Sequence, residues 1–198
     1  KICKVKINKV SFEKSSSDNE NCPKTKLFEV AFIGRSNVGK SSILNMLLNR
    51  KSIAKVSKTP GKTKLINYFL VNDKLYFVDL PGYGYAKLSK KNKFEISEIN
   101  KLYFKNRKQL SQIFLLIDIR HEIQKADLEF MNFLQSIKKK FIIIFTKKDK
   151  IKESMVSVHC NKYIDAISDF YSNKYFISSS KTKYGREEIL NFIGKISH

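Results

Sequence analysis

The stretch Gly34-Arg35-Ser36-Asn37-Val38-Gly39-Lys40-Ser41-Ser42 decides the fold of this chain. It follows an apolar run, residues 27–33, and precedes a segment with helical apolar spacing, residues 43–48. A strand, a glycine-bounded loop ending in Lys-Ser and a helix are the context of a phosphate-binding loop. The two glycines allow a tight wrap that points backbone N–H groups at a phosphate. Lys40 can reach the β- and γ-phosphates, and the Ser41 hydroxyl can ligate Mg²⁺. The sequence therefore predicts that this loop binds a nucleotide phosphate.

The composition favours a single folded α/β domain. The chain has 198 residues, of which 42% are hydrophobic, and no apolar run approaches the roughly 18–20 residues that a membrane span needs. Its three cysteines, Cys3, Cys22 and Cys160, have no CxxC spacing, which favours reduced thiols over a zinc site. Because the sequence begins with Lys, we expect a trimmed fragment. The expected compartment is the cytoplasm, or a mitochondrial matrix or plastid stroma if a targeting peptide was removed.

The charge of the chain is strongly one-sided. Lys and Arg number 39 against 18 Asp and Glu, which gives a formal net charge of +21. An excess of this size attracts polyanions, and RNA is the first candidate partner. The alternative is compositional drift, since Lys, Asn, Ile and Phe are all abundant, as AT-rich coding produces.

Apolar periodicity predicts that strands alternate with helices. Strands are expected at residues 2–12, 27–33, 65–71, 75–80, 113–117, 141–145 and 175–177, and helices at 43–50, 94–110, 130–137, 156–170 and 189–196. We therefore predict an α/β fold with a single domain, residues 27–198. Its mostly parallel six-stranded sheet has one antiparallel strand and helices on both faces. Residues 1–26 are expected to contribute an edge strand and a flexible segment.

Two segments have the positions of the switches of a GTPase. Residues 51–64 carry turn formers and lie between the first helix and the next strand. The strand at 75–80 ends in Asp79-Leu80-Pro81-Gly82, roughly 40 residues after the phosphate loop. A carboxylate at this strand end can hold Mg²⁺ through water, and Gly82 can offer its N–H to a γ-phosphate.

A guanine site is predicted after the strand at 141–145, where Thr146-Lys147-Lys148-Asp149 stands. The Asp149 carboxylate can accept both the N1–H and the exocyclic amine of guanine. Adenine has no matching donor pair, and a polar site of this kind rejects the wrong ligand by roughly 10⁴-fold. The stem of Lys147 can lie across the base plane. After the last strand, a backbone N–H, most plausibly that of Ser179, can donate to the guanine carbonyl.

The motifs GRSNVGKSS, KTPGKTK, VDLPGYGYAKLSK, DIRH and TKKD, in this order, resemble the EngB (YihA/YsxC) family of translation-associated, Ras-like GTPases of the TrmE-Era-EngA type. The most specific of them is GYGYAKLSK after DLPG, and the resemblance spans nearly the whole chain. It implies a Ras-like P-loop GTPase domain that binds GTP or GDP with Mg²⁺. It also implies a role in maturation of the large ribosomal subunit.

The resemblance assigns site residues as well. The Mg²⁺ ligands are Ser41, Thr63 and Asp79, and the catalytic residues are Lys40, Thr63 and Gly82. Nucleotide binding is assigned to Gly34, Arg35, Ser36, Asn37, Val38, Gly39, Lys40, Ser41, Ser42, Gly61, Thr63, Asp79, Gly82, Thr146, Lys147, Asp149, Ser178 and Ser179. The final loop, SSSKTKYG, is one residue longer than is usual for the family.

Two residues of the site bear on the rate of hydrolysis. Ras-like enzymes orient the attacking water with a Gln after the switch glycine, but this chain has Tyr83 there, so we expect slow intrinsic hydrolysis. Asn37 has two interpretations: its side-chain carbonyl helps to hold K⁺ against the phosphates, or it only shapes the turn.

The segment after the switch glycine suggests a link to RNA. Its lysines and tyrosines could bind RNA in a manner that depends on the nucleotide, or form a solvated loop; they are Tyr83, Tyr85, Lys87, Lys90, Lys91 and Lys93. His121, in DIRH, is expected to be structural rather than catalytic.

Three classes of function compete. The first is a monomeric GTPase switch that docks on ribosomal RNA or a precursor of the large ribosomal subunit. The second is a GTP-dependent RNA-binding or scaffold module with negligible turnover, linked to cell or organelle division. The third is a nucleotide kinase, which the TKKD motif disfavours because a kinase would bind ATP.

Overall fold

The computed structural model describes residues 6–18, 20–54, 65–85 and 88–196. Its strands are β1 Val10–Ser16, β2 Phe28–Gly34, β3 Ile66–Val71, β4 Leu75–Asp79, β5 Leu110–Asp118, β6 Ile142–Thr146 and β7 Phe176–Ile177. Its α-helices are α1 Lys40–Leu47, α2 Lys90–Asn106, α3 Lys125–Ser136, α4 Glu153–Asp165 and α5 Arg186–Ile196. A 3₁₀ turn, Lys148–Lys150, follows β6. From residue 27 onward this is the predicted alternation of strands and helices, with boundaries shifted by a few residues.

The strands form one sheet in the order β1-β3-β4-β2-β5-β6-β7. β2 lies in parallel between β4 and β5, and the parallel pairing continues through β6 to β7. Only β3 is reversed, since it runs antiparallel to both β1 and β4. The predicted fold class is confirmed, and the sheet has seven strands rather than six because β1 joins its edge.

The sheet is covered on both faces because its central strands are apolar on both sides. In β2, Ala31 and Ile33 belong to one core, whereas Val30 and Phe32 belong to the other. The first core packs against α2, α3 and α4, and the second packs against α1 and α5. Both cores therefore fix β2, the strand that leads into the phosphate loop. Among the described helices, none is long and apolar enough to cross a membrane.

The N-terminal segment differs from the expectation of an early strand and a flexible connection. The edge strand is Val10–Ser16, which starts later than predicted and enters the segment expected to be flexible. The Cys22 side chain is buried, and Arg107 donates to the Pro23 carbonyl at 2.6 Å. Gln109 donates to the Thr25 carbonyl at 3.0 Å. The prediction of a flexible segment rested on its polar composition. Composition could not indicate these contacts, because their partners lie about 80 residues away in the chain.

A buried ion pair joins the end of α2 to the start of β2. Glu29 is fully buried and accepts hydrogen bonds from Arg107 Nε at 2.8 Å and from the Tyr103 hydroxyl at 2.7 Å. A buried carboxylate needs such partners because its desolvation is costly. The cluster ties the helix after the second switch to the strand before the phosphate loop.

Candidate functional site

The phosphate loop has the tight backbone that its glycines predict. β2 ends at Gly34 and α1 begins at Lys40, so the loop between them leads straight into a helix N-terminus. Asn37 and Gly39 have left-handed φ values of 64° and 100°. A Cβ on Gly34 would lie 2.7 Å from the Leu116 carbonyl oxygen, so only glycine fits there. Backbone N–H groups at such a helix start form an anion site.

The end of β4 faces the start of α1. The Lys40 ammonium contacts the Asp79 carboxylate, whose side chain is 4% exposed. Ser41 and Ser42 occupy the first turn of α1. A carboxylate and a serine hydroxyl are the hard oxygen donors that Mg²⁺ prefers, so the chemistry of these residues fits the ion. The predicted ligand Thr63 and the predicted nucleotide contact Gly61 lie outside the described residues.

The switch glycine is held against the phosphate loop. Tyr83 N–H donates to the Gly34 carbonyl at 3.2 Å, and Ser36 N–H donates to the Tyr83 carbonyl at 3.0 Å. A Cβ on Gly82 would lie 2.9 Å from the Gly34 oxygen. The Asn100 side chain of α2 donates to the Pro81 carbonyl at 2.9 Å. The beginning of the second switch is thus fixed on two sides.

The Tyr83 side chain packs on α3. Its hydroxyl donates to Asp127 at 2.9 Å, and its ring stacks on Phe130 with centroids 4.6 Å apart. Burial, together with the Asp127 charge, raises the pKa of Tyr83 well above its usual range. The residue at the position of the water-orienting Gln is therefore a neutral phenol engaged by the helix.

The candidate base site lies at the end of β6. The Thr146 hydroxyl donates to the Val38 carbonyl at 2.7 Å, and the Lys147 ammonium donates to the Asn37 carbonyl at 2.7 Å. Two residues after Lys147, Asp149 presents a carboxylate whose side chain is 12% exposed. The structure therefore joins TKKD to the phosphate loop, although Asn37 and Lys147 are 110 residues apart in the sequence.

One predicted base contact needs correction. Ser179 was expected to offer its backbone N–H to guanine, but that N–H donates to the Tyr184 carbonyl at 3.2 Å. The Ser179 hydroxyl instead donates to Asp149 at 2.6 Å and so orients the carboxylate. Ser178 is fully buried, with its N–H bonded to the Phe145 carbonyl. Among the hydrogen bonds of the described residues, none uses the Ser180 N–H, which makes Ser180 the better candidate donor.

Asp118, at the end of β5, is a site residue that the sequence analysis gave no role. It accepts from Lys147 at 2.9 Å and from both Arg120 Nε and Nη2, at 2.9 and 2.7 Å. Burial opposes ionisation, but the hydrogen bonds from Arg120 and then from Lys147 lower the pKa of Asp118 to about 2. The DIRH motif contained the signal for this role. An acidic residue at the end of the strand next to β6 can anchor Lys147, the first lysine of TKKD. His121 is exposed and lies 3.8 Å from Asp118.

Together these features are those of a P-loop GTPase domain. A family model described as 50S ribosome-binding GTPase matches residues 29–147. Relatives printed as "Probable GTP-binding protein EngB" include one from Flavobacterium johnsoniae, 48% identical over 98% of this chain and 93% of its own. Another, from Porphyromonas gingivalis, is 46% identical over 98% of this chain and 97% of its own. The chain belongs to the EngB family of GTP-binding proteins.

Solved structures agree with this assignment. The crystal structure of a probable GTP-binding protein EngB is 26% identical, has a TM-score of 0.69, and is matched over 85% of this chain and 98% of that one. A structure of Era shares the fold, with a TM-score of 0.67 and 24% identity, over 87% of this chain and 57% of that one.

Proposed function

We propose that this protein is a slow GTPase that acts as a nucleotide switch in assembly of the large ribosomal subunit. The observation that carries the proposal is that three segments lie together at the carboxyl ends of the parallel strands. The phosphate loop, the end of β4 and the TKKD turn lie there together, as shown by the Lys40–Asp79 and Lys147–Asn37 contacts. Such a crevice, at the carboxyl ends of parallel strands, is where α/β folds bind nucleotides.

Guanine is selected by Asp149. Its carboxylate, oriented by the Ser179 hydroxyl, accepts from the N1–H and the exocyclic amine, and the Ser180 N–H donates to the guanine carbonyl. The Lys147 stem lies across the base plane while its ammonium stays fixed by Asp118. An adenine nucleotide would leave the Asp149 carboxylate without the two donors that guanine supplies, and a mismatch of this kind gives about 10⁴-fold selectivity.

The triphosphate is held by residues 34–42, with Lys40 on the β- and γ-phosphates. Ser41, Asp79 and Thr63 would hold Mg²⁺, which when bound neutralises charge on the β- and γ-phosphate oxygens. The Gly82 N–H donates to the γ-phosphate and so senses whether it is present. The Lys40–Asp79 contact must open for the phosphate to reach Lys40.

Hydrolysis without a partner is slow because Tyr83 stands at the position of the water-orienting Gln. The Tyr83 hydroxyl is hydrogen-bonded to Asp127, and its ring stacks on Phe130. We expect single-turnover rates on the order of 10⁻⁴–10⁻² s⁻¹. Faster hydrolysis by the isolated protein, within seconds, would contradict this.

The role of Asn37 is tested by the K⁺ dependence of hydrolysis. Its side chain is exposed and its φ is positive, which suits a turn-forming role. Equal hydrolysis rates in KCl and NaCl would exclude the role in holding K⁺.

The ribosomal partner is supported by the description of the matched family and by a net charge of +21. The proposed partner is ribosomal RNA or a precursor of the large subunit, and the protein binds it as a monomer. The proposed compartment is the cytoplasm, which the bacterial source of the relatives favours. Subunit binding is measured by co-sedimentation with purified 50S particles in GMPPNP and in GDP. We expect stronger binding with GMPPNP. Binding with no stimulation of hydrolysis would instead favour the scaffold module, and no binding in either state would contradict a ribosomal role.

The segment from Tyr83 to Lys93 is proposed to couple RNA affinity to the nucleotide. Lys87 lies outside the described residues, whereas Lys90, Lys91 and Lys93 begin α2 directly after the switch. Tyr83 does not fit the predicted RNA contact as a residue that stacks on a base, because its ring already stacks on Phe130. The test is RNA binding with GMPPNP and with GDP across a salt series; identical affinities and slopes would exclude the coupling.

A further inference from the structure

The Asp127 carboxyl of α3 is approached by both the phosphate loop and the start of the second switch. Its side chain is 3% exposed and accepts a hydrogen bond from the Tyr83 hydroxyl at 2.9 Å. The Arg35 guanidinium of the phosphate loop lies 4.0 Å from the same carboxyl. A Cβ on Gly84 would lie 3.3 Å from Arg35 Cγ and 3.5 Å from Ala126 Cβ. The switch backbone therefore contacts the loop on one side and the helix on the other.

Asp127 is itself held in place by the first turn of α3. Its carboxyl accepts from the Gln124 N–H at 3.3 Å, and its own N–H donates to the Gln124 carbonyl at 2.8 Å. Reciprocal contacts of this kind fix the start of a helix. The Phe130 ring, about one turn further along, stacks on Tyr83 with centroids 4.6 Å apart. The helix thus holds both the hydroxyl and the ring of Tyr83.

The hold on the Tyr83 side chain reaches the phosphate loop through the backbone of the same residue. The Tyr83 N–H donates to the Gly34 carbonyl at 3.2 Å, and the Tyr83 carbonyl accepts from the Ser36 N–H at 3.0 Å. These bonds place Gly82 so close to the loop that a Cβ on it would lie 2.9 Å from the Gly34 oxygen. A shift of Tyr83 would therefore move the Gly82 N–H, the proposed contact of the γ-phosphate.

We propose that Asp127 is a positioning residue: through the Tyr83 hydroxyl, it holds the Gly82 N–H where a γ-phosphate can accept from it. This inference rests on the proposed role of Gly82 as the γ-phosphate sensor. The apparent affinity for GTP falls with the fraction of molecules in which Gly82 is in place. GDP has no γ-phosphate, so its affinity does not depend on that fraction.

The test compares Kd values for GMPPNP and GDP in wild type and in two variants. Tyr83→Phe removes the hydroxyl and keeps the ring, whereas Asp127→Ala removes the acceptor. In each we expect GMPPNP to bind about three- to tenfold more weakly, the range that one hydrogen bond supplies, while the Kd for GDP stays as in wild type. Binding of GDP also shows that a variant is folded. If Asp127→Ala does not bind GDP, Tyr83→Phe decides the outcome.

Further variants separate positioning from general support of the fold. Asp127→Asn keeps an oxygen that can accept from Tyr83, so it should retain most of the GMPPNP affinity that Asp127→Ala loses. The double variant Tyr83→Phe/Asp127→Ala should lose no more than either single variant, because all three lack the same hydrogen bond. The matched control is Glu129→Gln, which removes an exposed acid paired with Lys125 on the same helix and should leave both Kd values unchanged.

A second readout follows the bound nucleotide by ³¹P NMR. Because the γ-phosphate is the group that meets Gly82, its resonance in bound GMPPNP should shift or broaden in Tyr83→Phe, while the spectrum of bound GDP stays as in wild type. An unchanged ratio of the two Kd values in Tyr83→Phe, or an equal weakening of both nucleotides, would overturn the inference alone. Failure of the wild-type protein to bind either nucleotide would overturn the proposed function as well.

Discussion

Single residues at the nucleotide site fix one another before any ligand is considered. Lys147 has a left-handed φ of 63° and donates to both the Asn37 carbonyl and Asp118. Asp118 is in turn held by Arg120. Since a lysine with rotamer freedom would have to be ordered on binding, this chain of contacts reduces the entropy cost of nucleotide binding. The loop after β7 is equally constrained, because a Cβ on Gly185 would lie 2.1 Å from the Ile177 oxygen.

The lowered pKa of Asp118 predicts a pH-dependent contribution to stability. Its folded pKa of about 2 lies below the usual 3.8. The contribution is therefore fully present above pH 4 and is lost as the pH falls from about 4 toward 2. Asp118→Asn should lower the free energy of unfolding at pH 7 by about 2 kcal/mol, and roughly half of that difference should be gone at pH 3. Urea titrations of both proteins between pH 7 and pH 3 measure it.

The control for this prediction is Glu122→Gln, which removes an exposed acid paired with Lys162. We expect no measurable change in the unfolding free energy from it, because exposed pairs contribute little. A difference between wild type and Asp118→Asn that stays constant from pH 7 to pH 3 would contradict the account.

At the scale of elements, the sequence predicted what is local and missed what is paired over long distances. The phosphate loop, β4 with its Asp-x-x-Gly, and TKKD were predictable because each motif is contiguous and adjoins an apolar strand. The register of β1 against β3, and the hydrogen bonds from Arg107 to Pro23 and from Gln109 to Thr25, were not. Each depends on how the backbone folds back on itself, which periodicity does not encode.

The Glu29–Arg107 pair predicts that α2 is anchored to β2 through a buried charge. Arg107→Met would leave the Glu29 carboxyl fully buried without its cationic partner, with the Tyr103 hydroxyl as its remaining side-chain donor among the described residues. We expect a loss of about 3–5 kcal/mol in the free energy of unfolding, measured by urea denaturation. Adding Glu29→Gln should restore part of it, since the stranded charge is removed while an acceptor for Tyr103 remains.

The matched control is Lys101→Met, which breaks the exposed Lys101–Glu98 pair of the same helix. That change should cost less than about 1 kcal/mol. Equal losses from Arg107→Met and Lys101→Met would show that the buried cluster does not anchor α2.

The whole molecule combines one nucleotide crevice with a large positive charge. The net charge of +21 is spread over a single domain, so the field extends beyond any one contact. We expect the affinity for single-stranded RNA to fall by about 10²–10³-fold between 50 and 200 mM salt, as contact with about six phosphates implies. Fluorescence anisotropy with labelled RNA measures it. An affinity that is independent of salt would contradict a charge-driven RNA contact.

The central claim, that the crevice is a guanine-nucleotide site read by Asp149, is tested most directly by competition. Purified protein is titrated with fluorescent GDP, which is then displaced by GTP, GDP, ATP or xanthine nucleotides, in wild type and in Asp149→Asn. We predict that guanine nucleotides displace the probe and ATP does not, and that Asp149→Asn prefers xanthine nucleotides, because the amide can donate to the extra carbonyl of xanthine. Displacement of the probe by ATP as readily as by GTP would contradict the account.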